Sequence, residues 1–557
     1  MASWQESASR KRESVLAKIP EQWRLSESFC AVPITPNSLS RNVTTDAFLQ
    51  TLPSAARLSQ RELEITSETR ISEILKNYES QHWTAEEVIT AFCHRAAISH
   101  QMTESLSEIR FVEAVNEAKA HDNYLRANNK LIGPLHGIPV SLKDQFRVEG
   151  LETAMAYIGW LGNVETNQTE SLLTKQIKSL GGIIVAKAKT VSNLQPPGLN
   201  PYNRLLSPGG SSGGEGSLLA FRGSVLGVGT DMGGSIRIPS AFNHLFGLKP
   251  SHGRISYKDL ANSLAGKPVV PSVAGPMSTT LQNLIHFTKA IIESEGCGVD
   301  PALINMPWRQ SKFDQVRIDA AAGGLCFATF PHDGVVKPHP TISRGVDSAI
   351  DAIRQAGHKV IGWDPPSHLE GSRIYAGIVF ADVHDVHDAI RLSGEPLMTA
   401  LEPLFGKDEP RKSMDMKDYY ALVLRFRKYQ EQYAEYWEST KTLTGTGRPV
   451  DGIITPVAAH AAVRHNSFFS YNYTIVYNIL DYAAVTVPVT FADKNIDIAR
   501  PYPEPLNDTD EKNWNAYDPE MYHGAPIGIQ IVGRRLEEEK VLALAEVLSG
   551  VLRVTSS

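Results

Sequence analysis

The sequence predicts an α/β fold in which a β-sheet is covered by helices on both faces. Two observations predict it: short β-rich runs bounded by glycine or proline recur from Gly133 onward, and helical stretches alternate with them. The runs are GIPVSL, GGIIVAKAK, VLGVGTD, DGIITPVA and AAVTVPVTF, and SLLTKQIKSLG is a helical stretch among them. A hydrophobic content of 42% and a charged content of 21% are ordinary for globular proteins, so 557 residues can bury a large core.

The pattern of residue types changes along the chain. A prior of about 100 to 200 residues per domain would divide it into three or four units. We expect an N-terminal arm packed on a larger body, then a helical part, a first part of the core, a helical cap or insertion and a C-terminal part of the core. The ranges are 1–60 for the arm and 61–550 for the body, which divides into 61–130, 131–310, 320–440 and 450–550.

The helical part shows how local signals predict an element. Thr84 followed by Glu87 forms a capping box, which marks the start of a helix. The apolar residues that follow recur at helical spacing, namely Val88, Ile89, Phe92 and Ala96. Apolar residues also recur at three and four in MKDYYALVLRFRKYQEQYAEYWES, within the 320–440 region.

Charge and cysteine content narrow the function. A net charge of -6 and a pI near 6.3 supply no basic surface for nucleic acid and no cationic face for a membrane, so we expect a small-molecule substrate. The N-terminus lacks the apolar run of a signal peptide, which predicts a cytoplasmic protein. The cysteines form no CxxC pair, so neither a zinc site nor a disulfide framework is predicted; they are Cys30, Cys93, Cys297 and Cys326.

The most informative stretch is residues 207–240, SPGGSSGGEGSLLAFRGSVLGVGTDMGGSIRIPS, in which ten residues are glycine. Glycine allows φ > 0 and lets successive N–H groups point into one space, where they can stabilise an anion. Its composition also fits a flexible loop. The segment GVGTDMGG misses the GxGxxG spacing and no GK[ST] follows, which disfavours a nucleotide site. Residues 209–213 formally match the GxSxG elbow of α/β-hydrolases. Composition and spacing alone leave these alternatives open.

The same stretch resembles the amidase signature almost position by position: a GGSSGG run, a helical spacer, an aspartate, then GGS and IRIP. Further segments are similar to the fungal acetamidase branch of that family, among them KIPEQWRL, PLHGIPVSLKDQFRVEG, FGLKPSHGRISY and YHGAPIGIQIVGRRLEEEK. The resemblance covers nearly the full length. It implies the amidase-signature fold, a single domain with a central mixed β-sheet covered by helices on both faces.

The resemblance also implies a catalytic set. In that family the second landmark serine, here Ser235, attacks the carbonyl, and the first, here Ser211, follows a cis peptide. The lysine lies upstream in a GIPVSLKD-type strand, here Lys143. An unassisted serine is a poor nucleophile, so we expect neutral Lys143 to take a proton through Ser211. This needs a lysine pKa of roughly 7 to 8, which burial beside GIPVSL would favour.

The remaining site predictions follow from the same resemblance. Backbone N–H groups of the segment from Met232 to Ser235, including those of Gly233 and Gly234, are expected to hold the oxyanion, with Ser211 beside the substrate. Choosing Ser211 over Ser212 rests on the resemblance. We expect Ser212, Asp231 and Arg237 to support the site and not to take part in the chemistry. No metal or cofactor is implied.

The predicted function is an amidohydrolase that cleaves a small aliphatic or otherwise unassigned amide through a serine acyl-enzyme. A homodimer is left open, and no nucleic acid or membrane partner is expected. One departure matters: between GGIIVAKAKTV and SPGGSSGG, relatives carry a longer loop that lines the acyl pocket, whereas this chain reads SNLQPPGLNPYNRLL. The alternative is therefore a catalytically impaired pseudoenzyme or a small-molecule-binding protein with the same fold. An amidotransferase subunit fits less well.

Overall fold

A computed structural model describes residues 3–552 apart from 32–33, 36–37, 39–40, 191–197, 268, 295, 297, 466, 469 and 503. Its described strands form one 11-stranded sheet. They are Leu106–Ile109 (β1), Ile138–Lys143 (β2), Gly182–Ala188 (β3), Leu226–Asp231 (β4), Phe246–Lys249 (β5), Val273–Ser278 (β6), Cys326–Thr329 (β7), Lys359–Gly362 (β8), Gly452–Pro456 (β9), Ala484–Phe491 (β10) and Pro526–Val532 (β11).

The sheet is mixed. Its strand order is β1-β3-β2-β4-β6-β5-β10-β11-β9-β7-β8. Strand β2 runs parallel to both of its neighbours, β3 and β4, and β7 runs parallel to β8 and β9. The other neighbouring pairs are antiparallel. Because β2 and β4 are adjacent and parallel, their carboxyl ends meet at one edge of the sheet, which is where Lys143 and Asp231 lie.

Helices flank this sheet. Those of the first half are Trp4–Ala17 (α1), Glu27–Cys30 (α2), Asp46–Leu49 (α3), Gln60–Ser67 (α4), Ile71–Glu79 (α5), Ala85–Thr103 (α6), Phe111–Asn128 (α7), Leu172–Ser179 (α8), Gly213–Ala220 (α9), Arg237–Phe242 (α10) and Leu281–Glu293 (α11). Those of the second half are Gln310–Ala321 (α12), Pro340–Gln355 (α13), His368–Val379 (α14), His384–Arg391 (α15), Glu402–Phe405 (α16), Met416–Ser439 (α17), Lys441–Thr444 (α18), Asn472–Ile479 (α19), Asp508–Asn515 (α20), Pro519–Tyr522 (α21) and Glu538–Leu552 (α22). Within the described residues, no helix is both long enough and apolar enough to cross a membrane.

The α/β prediction is confirmed. Each of the five β-rich runs contains a strand, β2, β3, β4, β9 and β10 respectively, and SLLTKQIKSLG contains α8. The capping box is present as predicted, since the Thr84 N–H donates to Glu87 at 2.9 Å and the Glu87 N–H donates to Thr84 Oγ1 at 3.1 Å. The helix α6 that follows is almost entirely buried, and it packs on α7, α9 and β2.

The 320–440 region, predicted as a helical cap or insertion, contains strands as well as helices. Besides α13 to α17 it contributes β7 and β8, which extend the same sheet at its far edge. These strands have four residues each, and β8 is partly exposed, so neither carries the long apolar run by which the sequence predicts a strand.

The N-terminal region contacts the body through charged groups. The Lys11 ammonium of α1 contacts Glu108 in β1 and lies 2.8 Å from Glu152, while Lys18 lies 2.8 Å from Glu108. Glu108 and Lys11 are both buried. These contacts hold α1 against the β1 edge of the sheet.

Candidate active site

Lys143 is the last residue of β2, and its side chain is only 1% exposed. Its Nζ lies 2.7 Å from Ser211 Oγ and 2.7 Å from Thr230 Oγ1. Thr230 is next to last in β4, the parallel neighbour of β2, so the strand pairing carries it beside the lysine. The structure therefore brings together two of the predicted residues, Lys143 and Ser211, and adds a third group that the sequence analysis did not include.

The environment of Lys143 favours its neutral form. Burial lowers the pKa of Lys143 to about 7, although the carboxyl groups of Asp231, Glu215 and Asp144 act in the opposite direction. A lysine with such a pKa is largely neutral at slightly alkaline pH and can accept a proton there.

A chain of hydrogen bonds fixes the orientation of Thr230. The Gln145 amide nitrogen donates to the Ala261 carbonyl at 3.0 Å, which turns the amide oxygen of Gln145 toward Thr230. The Thr230 hydroxyl donates to that oxygen at 2.6 Å. Its one proton is thus used, so Thr230 Oγ1 faces Lys143 as an acceptor. When Lys143 is neutral, one of its N–H groups is held by Thr230 and its lone pair remains for Ser211.

Ser211 lies in the loop before α9, and the Gly210–Ser211 peptide bond is cis. The neighbouring Ser212 is fully buried and links this loop to the second glycine-rich turn, because its N–H donates to the Ser235 carbonyl at 3.2 Å. Among the described residues, the Ser212 hydroxyl makes only long contacts, of 3.4 and 3.5 Å, with the backbone of Thr230.

Residues 232–235 form the turn between β4 and α10, which we name the oxyanion turn. Among the described residues, no acceptor takes the N–H groups of Met232, Gly233 or Ser235. Gly234 differs from the expectation, because its N–H donates to the Asp231 carboxylate at 2.9 Å. Gly234 has φ +122°, a conformation that favours glycine. Its amide serves to hold the turn and is not directed at a ligand.

Asp231 and Arg237 form a buried ion pair beneath this turn, with Arg237 Nη2 3.0 Å from Asp231 Oδ1. Burial alone would raise the pKa of Asp231, but the Arg237 guanidinium and the Asn478 amide hold it well below its usual value. Arg237 also donates to the Thr474 carbonyl and to Gln530, both at 3.1 Å. The pair ties both ends of the oxyanion turn to α19 and β11.

Comparisons with known proteins identify the family. The model of the family described as Amidase matches residues 87–542, more than four fifths of the chain. The chain belongs to the amidase family. It is an enzyme that hydrolyses amide bonds.

The relatives of this amidase include two fungal acetamidases. The acetamidase of Aspergillus oryzae is 38% identical over 99% of both chains, and that of Emericella nidulans is 39% identical over 99% of this chain and 98% of the relative. Among solved structures, a fatty acid amide hydrolase matches with a TM-score of 0.89 and 28% identity, covering all of this chain and 96% of that one. The fungal acetamidase-like branch and the amidase-signature fold are therefore confirmed.

Further side chains of this amidase meet the oxyanion turn. A Cβ atom placed on Gly233 would lie 2.7 Å from the hydroxyl of Tyr375, a buried residue of α14. Lys267 Nζ lies 3.1 Å from the Met232 sulphur. No sequence signal marks Tyr375 or Lys267, because their contacts with the turn depend on the tertiary packing of distant parts of the chain.

A further buried carboxyl group lies near Lys143. Glu215 of α9 is fully buried, and the Ser141 hydroxyl donates to it at 2.5 Å. Burial raises the pKa of Glu215 to about 8, and the Ser141 hydroxyl and Lys143 only partly oppose this. When Glu215 is ionised, its negative charge raises the pKa of Lys143 and so opposes the effect of burial.

Part of the shortened loop, residues 191–197, lies outside the described residues, as does Cys297. In the described part, the Asn200 amide donates to the Phe242 carbonyl at 2.6 Å and the Asn203 amide donates to the Met521 carbonyl at 2.8 Å. These bonds fix the segment that leads into the GGSSGG run. In the part of the chain that the structure describes, no three histidine, cysteine or acidic side chains cluster as metal ligands.

Proposed function

We propose that this amidase cleaves small aliphatic carboxamides through an acyl-enzyme on Ser235, with Ser211 relaying a proton to Lys143. The observation that carries the proposal is the 2.7 Å contact between Lys143 Nζ and Ser211 Oγ. Burial lowers the pKa of this lysine to about 7. A buried neutral amine beside a serine hydroxyl is the arrangement that serine activation by lysine requires.

In the acylation step, Ser235 Oγ bonds to the amide carbon while its proton passes to Ser211 and the Ser211 proton passes to Lys143. The negative charge moves to the carbonyl oxygen. The N–H groups of Met232, Gly233 and Ser235 are the available donors for that oxygen, and losing one such donor typically costs about 10² to 10³ in rate. The proposal omits Gly234, whose N–H is bound to Asp231.

Collapse of the tetrahedral intermediate breaks the C–N bond, and the proton held by Lys143 returns through Ser211 to the leaving nitrogen. Ammonia or an amine departs. A water molecule then attacks the acyl carbon and gives its proton to the same relay, which releases the carboxylic acid and restores Ser235. Each proton that Lys143 accepts is released again within the cycle, and no external oxidant or reductant is required.

The substrate class is supported by the relatives and by Tyr375. Two relatives that align over nearly the whole chain are named acetamidases. The Tyr375 hydroxyl closes the space beside Gly233, where a Cβ atom would already be too close at 2.7 Å. This wall favours a short chain on the substrate. We place the protein in the cytoplasm, acting on a small-molecule amide without nucleic acid or membrane partners.

The test is ammonia release from acetamide, propionamide and larger amides, together with labelling by a fluorophosphonate probe. We expect turnover and labelling at Ser235 in the wild type and neither in Ser235→Ala. Ser99→Ala is the matched control, because Ser99 is buried and its hydroxyl has no hydrogen-bond partner among the described residues. A folded wild type that neither releases ammonia nor labels would contradict the proposal and favour a pseudoenzyme.

A further inference from the structure

Lys267 places a cation at the oxyanion turn. It lies in the segment between β5 and β6, it is half-buried, and its Nζ is 3.1 Å from the sulphur of Met232. Met232 opens the oxyanion turn, three residues before Ser235. Met232 and Val269 both pack against the apolar cluster that contains Tyr375. The ammonium group therefore lies beside the side chain of the first residue of the oxyanion turn, next to the apolar cluster that contains Tyr375.

This cation has no acidic partner among the described residues. No carboxylate of the described chain lies within ion-pair distance of Lys267, and a thioether sulphur is only a weak acceptor. Burial lowers the pKa of Lys267 to about 8, so most of the side chains still carry a charge at pH 7. A partly buried cation without a counter-charge is unfavourable, and an anion that binds beside it relieves that cost.

The charged groups around the oxyanion turn do not supply a counter-charge to Lys267. The carboxylate of Asp231 is bound by Arg237, by Asn478 and by backbone N–H groups, so it is not available to Lys267. The Ser141 hydroxyl donates to Glu215, and burial raises the pKa of Glu215 to about 8, which reduces its negative charge at pH 7. A second buried amine, Lys249, donates to the Pro250 carbonyl and adds no negative charge. The complementary ligand is therefore an anion.

Resting on the proposed function, we infer that Lys267 binds an anionic group of the substrate, so that the preferred substrates are aliphatic amides that carry a carboxylate. The Met232 N–H is a proposed oxyanion donor and the Met232 sulphur lies 3.1 Å from Lys267 Nζ, so about the length of one methionine side chain separates the carboxamide from the ammonium group. The anion and the carboxamide carbon are then separated by a few methylene groups. The monoamides of short dicarboxylic acids have this form. Their amide end meets Ser235 and their carboxylate meets Lys267.

The experiment compares succinamate, which carries one carboxylate, with succinamide, its neutral counterpart of similar size. Because a charge-assisted hydrogen bond is roughly twice as strong as a neutral one, we expect the wild type to prefer succinamate by about tenfold or more in kcat/KM per amide group. In Lys267→Met the ratio falls to about one, and Lys267→Arg retains most of it. Lys312→Met, which removes an exposed lysine of α12, is the control and leaves the ratio unchanged.

A wild-type ratio of one or below would overturn the inference, as would a ratio that survives in Lys267→Met. An equal fall in kcat for both amides in Lys267→Met would also overturn it, since that outcome indicates a general effect on the chemistry.

A binding measurement separates this inference from the proposed function. In the Ser235→Ala background, calorimetry should detect succinamate binding that is at least about tenfold weaker once Lys267→Met is added. Equal binding overturns the inference even if the enzyme proves active. If instead the proposed function is wrong, the wild type shows neither turnover nor labelling by the probe.

Discussion

The Ser212 N–H donates to the carbonyl oxygen of Ser235 at 3.2 Å. Through this bond the loop that carries Ser211 and the turn that carries Ser235 hold each other in place, although 23 positions of sequence separate Ser212 from Ser235. A side chain that relays protons must keep its distance to the nucleophile within a few tenths of an ångström, so a backbone link is better suited to this task than a flexible side chain. Four predictions follow from the groups arranged around this link.

The activity should depend on the protonation of Lys143. Because the pKa of Lys143 is lowered to about 7, kcat/KM should rise with pH, reach half its plateau near pH 7 and be roughly 100-fold lower at pH 5. Lys143→Arg should be inactive across this range, since arginine stays protonated. The measurement is the pH dependence of acetamide hydrolysis, and a profile that is flat from pH 5 to 8 would show that neutral lysine is not the base.

Thr230→Val should lower kcat by about 10- to 100-fold with little change in KM. The variant leaves one Lys143 N–H and the Gln145 oxygen without partners, which costs about 1 to 3 kcal/mol in a buried site and misdirects the lysine lone pair. Thr288→Val is the matched control: Thr288 is equally buried, and its hydroxyl has no partner among the described residues. Steady-state kinetics of both variants decide the matter, and equal effects would refute a role for Thr230.

Arg237→Met should reduce the free energy of unfolding by about 3 to 5 kcal/mol, because it leaves the Asp231 carboxylate buried and unpaired. The comparison is Arg317→Met, which breaks an equally close ion pair to Glu546 in which Arg317 is 52% exposed. That change should cost less than about 1 kcal/mol. Urea unfolding of the two variants measures the difference, and similar losses would contradict the assignment of Asp231 and Arg237 as the support of the turn.

Gly234→Ala should be destabilising and nearly inactive. The new Cβ atom would lie 2.6 Å from Thr474 Oγ1 and 2.7 Å from Ile238 Cδ1, and its φ of +122° is unfavourable for alanine. Gly334→Ala isolates the backbone effect, since Gly334 has φ +78° and no atom of the described residues lies within 4 Å of the added Cβ. We expect Gly334→Ala to lower the melting temperature slightly and Gly234→Ala to lower it by several degrees more.

The sequence predicts those parts of the site that are contiguous in the chain. The run of glycine and serine around Ser211 and Ser235, and the apolar strand that ends at Lys143, are local patterns with a chemical reason. Thr230 also lies within the 207–240 stretch, yet its contact with Lys143 depends on the pairing of β2 with β4, which no local pattern specifies.

The same limit explains what was missed elsewhere. Tyr375 and Lys267 reach the oxyanion turn from segments more than 30 residues away, and each would pass for an ordinary helical or loop residue. The occupation of the Gly234 N–H by Asp231 was also unexpected, because a row of glycines indicates which backbone groups are able to point inward but not which acceptor takes each one. Short strands such as β7 and β8 depend on their neighbours in the sheet more than on their own composition.

The partners of Arg237 set an order of events during synthesis. Asn478 and Gln530, which hold its guanidinium, lie 241 and 293 residues further along the chain. At a synthesis rate of about 5 to 20 residues per second, roughly 15 to 60 s pass between the appearance of Arg237 and that of Gln530. Until then the guanidinium beneath the oxyanion turn lacks its final anchors. A ribosome-bound chain that already contains Lys143, Ser211 and Ser235 is therefore expected to hydrolyse no amide until β11 has been synthesised.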